Sequence, residues 1–442
     1  MLCAGFIPGW AFSTIDRLRI SDRTALRDGT LRRNRDWTPT LAELRWESGM
    51  GVWSMRKWLF GFAALVLVAA GMFFLLAPGM AERSMNKVEP TDLPEITFEA
   101  RELHARLAIA DLHGDTLLWK RSLLDAATRG QIDLPRLQAG NVALQVFSSV
   151  TKTPKGQNYD ANSADTDNIT MLAVGQLQPI RTWGSLLERS LWHATKLDRQ
   201  SRASEGQLRV IRSAADIDSL FAQRRGGAPV TGALLSIEGL QNLEGRLDNL
   251  DRLHAAGFRM AGLTHFFDNE VAGSMHGEAK GGLTPLGRQV VARMEQLGMV
   301  VDIAHASHQS VAEILGVARR PVVSSHGGVQ ATCNVNRNLS DAEIRGVAAT
   351  GGVIGIGYWD AAVCGTSPRH IVDAITHVRD LVGIDHVGLG SDFDGAVTTG
   401  FDTSQLVAIT QELIDRGFSE RQIAQVMGGN VLRLLRAGVE PL

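Results

Sequence analysis

The sequence predicts an α/β protein, a closed (β/α)8 TIM barrel preceded by one N-terminal transmembrane helix. Short apolar runs rich in β-branched or small residues alternate with helical patterns, which is typical of buried parallel strands connected by helices. Several of these runs end in a histidine or a carboxylate. An open doubly wound sheet is the alternative fold, but no glycine-rich phosphate loop follows the first run.

Length and composition set limits on the kind of protein. The chain has 442 residues, enough for a barrel of about 250 residues with insertions. Its 45 basic and 47 acidic residues give a formal net charge of -2, so no basic field predicts a nucleic-acid partner. The three cysteines, Cys3, Cys333 and Cys364, include no CxxC pair, which excludes a cysteine-type zinc site. Cys333 and Cys364 are expected to be buried thiols, with a disulfide as the alternative in an oxidising compartment.

The N-terminal region differs from the rest of the chain. Residues 1–54 carry scattered arginines without an apolar period and are predicted to be a disordered leader, or sequence ahead of a true start at Met50 or Met55. Residues 55–80 are predicted to be a transmembrane anchor, because the uncharged run at 59–77 can cross a bilayer as one helix. A cleaved signal peptide is the alternative, but its apolar core is normally only about 7–15 residues long.

The charges beside the apolar run predict its orientation. Arg56 and Lys57 precede the run, so the positive-inside rule places the N-terminal side in the cytoplasm. The predicted location is therefore the inner (cytoplasmic) membrane, crossed once, with the barrel on the periplasmic or extracellular side.

The remaining chain divides into a linker and a barrel. Residues 81–98 are polar, contain Pro90 and Pro94, and are predicted to be a linker; residues 99–442 are predicted to form the barrel. Residues 151–207 are too many for an ordinary connection and are expected to be an insertion over the face where the strands end. This insertion is predicted to be either a lid or a contact in a homodimer. The eight predicted strands are 107–113, 141–147, 232–238, 260–265, 299–305, 321–326, 352–357 and 386–392.

The strand ends carry side chains suited to metal binding, and the C-terminal ends of parallel barrel strands gather on one face. His113 and Asp115 form an HxD pair whose side chains point to the same side of an extended strand. His305 and His326 each end a run, and neutral imidazole is a good zinc ligand. Glu238 follows four mostly apolar residues and is predicted to bridge two cations about 3.5–4 Å apart that hold a hydroxide. These residues predict a metal-dependent hydrolase with two zinc ions, although manganese or cobalt would also fit.

An acidic residue at the last strand is the predicted general base. Asp392 ends that strand and is expected to take the proton of the attacking water and give it to a leaving amine. Asp394 is the competing candidate, but Gly395 follows it, so a turn is the preferred interpretation.

Taken together, the motifs resemble those of the membrane dipeptidases of peptidase family M19, from about residue 105 to about residue 437. The matching motifs are Asp111-Leu-His-Gly-Asp115, Ser236-Ile-Glu-Gly239, Leu263-Thr-His265, Asp302-Ile-Ala-His305, Ser324-Ser-His326, Asn336-Arg-Asn338 and Gly388-Leu-Gly-Ser-Asp-Phe-Asp-Gly395.

The resemblance implies a zinc-dependent dipeptidase that tolerates a D residue at the C-terminal position. One zinc ion would be held by the HxD pair and the other by the two strand-end histidines, with Glu238 between them. His265 would polarise the scissile carbonyl or stabilise the tetrahedral intermediate. Arg337 would bind the C-terminal carboxylate of the dipeptide, because a guanidinium matches a carboxylate in shape and charge. An aromatic residue beyond the seventh strand is also expected at the substrate, and Tyr358 and Trp359 are both candidates.

Two other functions are compatible with the sequence. Another amidohydrolase-type barrel would act on a lactone, a cyclic amide or a phosphoester, but those enzymes usually have HxH on the first strand and a lysine bridge. An inactive, membrane-tethered binding protein would require the loss of ligands, and the ligand set is complete.

Overall fold

The computed structural model describes residues 52–440, so most of the leader predicted for residues 1–54 lies outside the described residues. The strands, in chain order, are β1 Lys87–Val88, β2 Ile109–Asp111, β3 Val142–Phe147, β4 Leu208–Ile211, β5 Thr231–Glu238, β6 Phe258–Gly262, β7 Val300–Asp302, β8 Val323–Ser324, β9 Val353–Ile356, β10 Val387–Leu389 and β11 Thr398–Thr399. Eight of them, β2, β3 and β5 to β10, form a parallel barrel that the pairing of β3 with β5 closes. The predicted barrel is therefore confirmed and the open sheet is excluded.

Helices follow the strands around this barrel. They are α1 Val52–Met85, α2 Phe98–Arg106, α3 Leu134–Ala139, α4 Asn168–Gly175, α5 Arg181–Gly184, α6 Leu186–Ala203, α7 Ala214–Arg225, α8 Asp248–Ala255, α9 Pro285–Leu297, α10 His308–Val317, α11 Asp341–Ala349, α12 Asp360–Val363, α13 Pro368–Val382, α14 Val407–Asp415, α15 Glu420–Ala424 and α16 Asn430–Gly438. The start of α9 shows why the sequence predicts such ends well: the Thr284 side chain accepts a hydrogen bond from Gly287 N, and Pro285 occupies the first helical position.

Six of the eight barrel strands end earlier than predicted, whereas β3 and β5 end at the predicted residues, Phe147 and Glu238. His305 and Asp392 lie just beyond the hydrogen-bonded ladder, with left-handed φ angles of 64° and 59°. Such angles are uncommon for residues other than glycine and interrupt an extended strand. Because the chain turns at these residues, their side chains lie on the face where the strands end rather than within the barrel wall.

The predicted insertion contains α4 to α6, and β4 follows it. Strand β4 was not indicated by the sequence pattern. It pairs with Thr231 to Leu234 of β5, and β6 pairs with the remainder of β5 from Leu235 onward. Within the insertion, the buried Arg189 donates hydrogen bonds to the carbonyl oxygen of Thr151 and to Asp167. This arginine therefore ties together the beginning, the middle and α6 of the insertion.

Parts of the segment predicted to be a linker contact the barrel domain. Glu82, near the end of α1, is buried and accepts hydrogen bonds from Arg121 and Arg129. Strand β1 then pairs with β11. Polarity and prolines indicate a linker, but they cannot reveal that two arginines, 39 and 47 residues further along the chain, enclose this carboxylate.

Cys333 and Cys364 form a disulfide, so the expectation of two free thiols is wrong. The two residues are 31 positions apart and lie in the loops after β8 and β9, which neighbour each other in the barrel. Asn338 strengthens this connection by donating to the carbonyl oxygens of Cys333 and Ala362. The loop that carries Arg337 is therefore held between two neighbouring barrel segments.

Candidate metal and substrate site

One carboxylate oxygen stands at the centre of the face where the barrel strands end. Glu238 Oε1 lies 2.9 Å from His305 Nε2, 3.4 Å from His265 Nε2, 3.4 Å from His326 Nε2 and 3.8 Å from His113 Nε2. All five side chains are buried. Four imidazole rings from four different strand ends thus converge on a single acidic side chain.

Two further carboxylates complete the cluster. Asp115 Oδ2 and Asp392 Oδ1 lie 3.6 Å and 3.9 Å from His113 Nε2. Gly395 allows this approach, because a Cβ atom there would come within 2.1 Å of Asp392 Oδ1 and 2.9 Å of Asp115 Oδ2. A side chain at position 395 would therefore push the two carboxylates apart.

Asp394 is directed away from the cluster. It lies in a left-handed turn, as predicted, with a φ of 65°. Its carboxylate accepts hydrogen bonds from Arg121, from Thr116 Oγ1 and from the backbone N–H of Gln131. A carboxylate bound in this way is not free to act as a base, which leaves Asp392 at the site.

The donor atoms fit divalent metal ions. Among the described residues, His113 Nε2, Asp115 Oδ1, His265 Nδ1 and His305 Nδ1 are buried without a hydrogen-bond partner, which is costly for a polar atom. Three overlapping sets of ligand atoms lie within 4.8 Å: His113, Glu238 and His326; Glu238, His265 and His305; His113, Asp115 and Asp392. Imidazole with carboxylate is a donor set that suits zinc and related divalent metals.

Burial and neighbouring carboxylates together set the protonation of these groups. At His113, burial is outweighed by Asp115 and Glu238, which together raise the pKa to about 10. Burial dominates at the other three rings. It lowers the pKa of His265 to about 3 and the pKa values of His305 and His326 well below the usual range, so these rings are neutral. Neutral imidazole is the form that binds metal. Burial also raises the pKa of Asp392 to about 8 and that of Glu238 well above its usual value, and the neighbouring Asp115 adds to both shifts. Three carboxylates buried this closely call for a positive partner, which a metal ion provides.

Two aspartates without a predicted role orient the ligands. Asp111 accepts hydrogen bonds from the backbone N–H of His113 at 3.0 Å and from that of Ser391 at 3.0 Å. Asp302 accepts from the backbone N–H of Ser325 at 2.9 Å, and the Ser325 hydroxyl contacts the rings of the neighbouring histidines. Asp111 lies two residues before His113, and Asp302 lies three residues before His305. This short spacing from a predicted ligand is the sequence signal that could have indicated the supporting role of the two aspartates. Such supporting groups usually matter strongly for metal affinity.

Arg337 lies at the same face and has unused donors. Its side chain is buried, and its Nη2 donates to the carbonyl oxygen of His326 at 2.9 Å. The guanidinium carbon lies 5.7 Å from the centre of the Trp359 ring. Its Nε has no hydrogen-bond partner in the described chain. A buried guanidinium with a free N–H is suited to a carboxylate ligand.

The insertion supplies a residue that the sequence did not single out. The Tyr159 hydroxyl accepts a hydrogen bond from Trp359 Nε1 at 3.2 Å. The Tyr159 carbonyl oxygen accepts from His276 Nδ1 and from Asn336 Nδ2. Of the two candidate aromatics, Trp359 therefore belongs to the site, whereas Tyr358 is fully buried in the core. Tyr159 is one of only two tyrosines in the chain, but nothing in the local sequence shows that the insertion folds back onto the site.

A cavity of about 510 Å³ joins these groups. The polar and aromatic side chains that line it include Asp115, Tyr159, Glu238, His265, His305, Arg337, Trp359 and Asp392. His113 and His326 lie directly behind them in the ligand sets. The structure thus brings all eight predicted site residues together.

Known proteins resemble this chain in sequence and in fold. The chain is 31% identical over 351 residues to dipeptidase aclJ of Aspergillus oryzae, covering 75% of this chain and 78% of that protein. The probable dipeptidase PvdM from Pseudomonas aeruginosa has the same fold, with a TM-score of 0.65 at 23% identity over 77% of this chain and 97% of that chain. A metallo peptidase from Rhodobacter sphaeroides, liganded with a phosphinate mimic of the dipeptide L-Ala-D-Ala, also has this fold. Its TM-score is 0.63 at 22% identity, over 75% of this chain and 99% of that chain.

The family comparison covers the whole barrel. The model of the membrane dipeptidase family matches residues 98–440, from the first residue of α2 to the end of the described chain. This range contains every residue of the cluster around Glu238. The chain therefore belongs to the membrane dipeptidases of peptidase family M19 and is a metallo-dipeptidase.

Proposed function

We propose that this protein is a membrane-anchored dipeptidase that uses two zinc ions. The observation that carries the proposal is the convergence of four imidazole nitrogens within 4 Å of Glu238 Oε1. His113 and Asp115 would hold one ion, and His305 and His326 the other, with the Glu238 carboxylate shared between them. When bound, such a pair of cations would polarise a carbonyl oxygen and would supply hydroxide at neutral pH by lowering the pKa of a water molecule.

The remaining residues bind the substrate and move protons. Arg337 binds the C-terminal carboxylate of the dipeptide and so places the peptide bond beside Glu238. His265 is neutral and donates a hydrogen bond to the scissile carbonyl oxygen, stabilising the negative charge that develops there. Asp392 takes the proton of the attacking water and delivers it to the nitrogen of the leaving amino acid.

A panel of dipeptides tests the reaction and the substrate range. The structure from Rhodobacter sphaeroides contains a mimic of L-Ala-D-Ala, which supports extending the range here to a D residue at the C-terminal position. We expect the full chain to hydrolyse L,L and L,D dipeptides, to lose activity after treatment with a chelator and to regain it with zinc. Hydrolysis that survives complete metal removal would contradict the metal mechanism. Failure on L,D dipeptides alone would remove only the extension to D residues, and cleavage of lactones in place of dipeptides would favour the other amidohydrolase activity.

We infer that α1 anchors the catalytic barrel on the outer side of the membrane. Residues Met55–Met85 form a helix long and apolar enough to span a bilayer. Pro78 and Glu82 are buried, and Glu82 is paired with Arg121 and Arg129. These contacts favour a retained anchor rather than a signal peptide that is removed. The disulfide between Cys333 and Cys364 supports an oxidising compartment, since such bonds are rare in the cytoplasm.

Reporter fusions check this orientation. A reporter enzyme that is active only after export is expected to be active when fused after Leu442, because Arg56 and Lys57 keep the other end of the span in the cytoplasm. The same reporter fused before the span, at Ser54, is the matched control and should be inactive. An inactive export reporter after Leu442, together with activity of a cytoplasmic reporter at that position, would reverse the orientation.

A further inference from the structure

The end of α1 forms one side of the substrate cavity. Phe73, Ala77, Ala81 and Met85 line the cavity that also contains Glu238, His265 and Arg337. The four helical residues are spaced four apart, so they form a single stripe along one face of the helix. This stripe begins within the apolar run that is predicted to span the membrane.

Several contacts fix this part of α1 on the barrel. The Glu82 carboxylate is enclosed by Arg121 and Arg129, and Arg121 also binds Asp394, two residues beyond the proposed base. Asn86 accepts a hydrogen bond from the backbone N–H of Ala396 at 2.8 Å. The stripe is therefore held at a constant position relative to the catalytic residues.

The wall around the stripe is also apolar. Further apolar residues of the cavity lining include Leu118 and Trp119 after β2, Val150 after β3, and Ile169, Met171 and Leu172 of the insertion. The charged groups of the cavity are concentrated around Glu238. The wall formed by α1 and these apolar residues instead offers contact surface for a hydrocarbon side chain. Burying a large apolar side chain of a substrate against such a surface strengthens binding by about 10- to 100-fold.

We propose that the membrane helix is a wall of an apolar specificity subsite, and that the enzyme prefers dipeptides with one bulky apolar side chain. The proposal rests on the dipeptidase function and adds to it the class of side chain. The anchor then has a second role: its end selects the substrate that the barrel cleaves.

The test uses the full chain in detergent or in nanodiscs, with Phe-Gly, Gly-Phe and Gly-Gly as substrates. The double variant Phe73→Ala/Met85→Ala removes contact surface and is expected to raise KM for at least one phenylalanine dipeptide by about 10-fold, with KM for Gly-Gly unchanged. The Ala77→Trp variant fills the subsite, so KM for the phenylalanine dipeptides should rise far more than KM for Gly-Gly. Leu76→Trp is the matched control, because Leu76 is about as exposed as Phe73 and Met85 but lies outside the cavity lining; this variant should behave as the unmodified enzyme.

Metal content, measured in each variant, shows whether the site itself has been disturbed. Variants that match the unmodified enzyme on all three dipeptides would overturn the subsite, as would variants that lose activity equally on all three. Full metal content with a selective rise in KM would support it. If the unmodified, metal-loaded enzyme hydrolysed no dipeptide at all, the proposed function would fail instead, and the two failures are therefore distinguishable.

Discussion

The Glu238→Gln variant is expected to lose at least about 99% of its dipeptidase activity, because even the loss of a residue that only supports a metal ligand costs 10- to 100-fold. An amide in place of the carboxylate removes the anionic oxygen on which four histidines converge. Metal analysis should then show below about two equivalents. The fold should be retained, since the barrel strands do not depend on this side-chain charge, and circular dichroism checks that.

Glu278→Gln is a suitable control for this experiment. Glu278 is exposed, and replacing it alters the charge by the same amount without touching the cluster. The control should retain full activity and metal. A Glu238→Gln enzyme with complete metal occupancy and normal turnover would show that the carboxylate does not bridge the ions.

Amidation of the substrate's C-terminus is expected to reduce kcat/KM of the unmodified enzyme by roughly 100-fold or more. An amide leaves the buried Arg337 guanidinium without its anionic partner, which costs about 3 kcal/mol or more. The Arg337→Ala variant should hydrolyse free dipeptides weakly and should show a much smaller difference between free and amidated substrates. Arg337→Lys should recover only part of the activity, because an ammonium group lacks the planar fork of a guanidinium.

The control for this series is Arg345→Ala. Arg345 is exposed and forms only a long surface ion pair with Asp341. Its loss should therefore leave kcat/KM unchanged for both the free and the amidated dipeptide. If the unmodified enzyme cleaved amidated dipeptides as fast as free ones, both the role of Arg337 and the restriction to dipeptides would be wrong.

The barrel and the position of its ligands could be predicted because both depend on local sequence. A run such as 299–305 contains apolar residues that need burial on both sides, and it ends in a residue that cannot remain in the wall. His305 therefore marks the end of a strand and a metal ligand at once. The same argument holds for Glu238, which β5 retains as its last residue.

Other features depend on contacts between distant parts of the chain and leave no local pattern. Tyr159 lies in a polar segment, and only the folded insertion brings its hydroxyl to Trp359. Glu82 follows an apolar run and resembles the first residue of a linker, but its burial depends on Arg121 and Arg129. The disulfide between Cys333 and Cys364 likewise depends on two neighbouring barrel loops. Periodicity cannot indicate such pairings, since each partner alone resembles an ordinary surface or core residue.

If α1 is a membrane anchor, as proposed above, its continuity with the barrel sets the working range of the enzyme. The apolar run ends at Ala77, and Phe73 and Ala77 of that run already line the cavity of the barrel, so no free stretch of helix separates the run from the barrel. With α1 as the anchor, and with Glu82 enclosed by arginines, the barrel has no flexible tether on which to swing outward. The enzyme then meets its substrates in a thin layer at the membrane surface, and its turnover in a cell follows the amount of dipeptide in that layer more closely than the average concentration in the compartment.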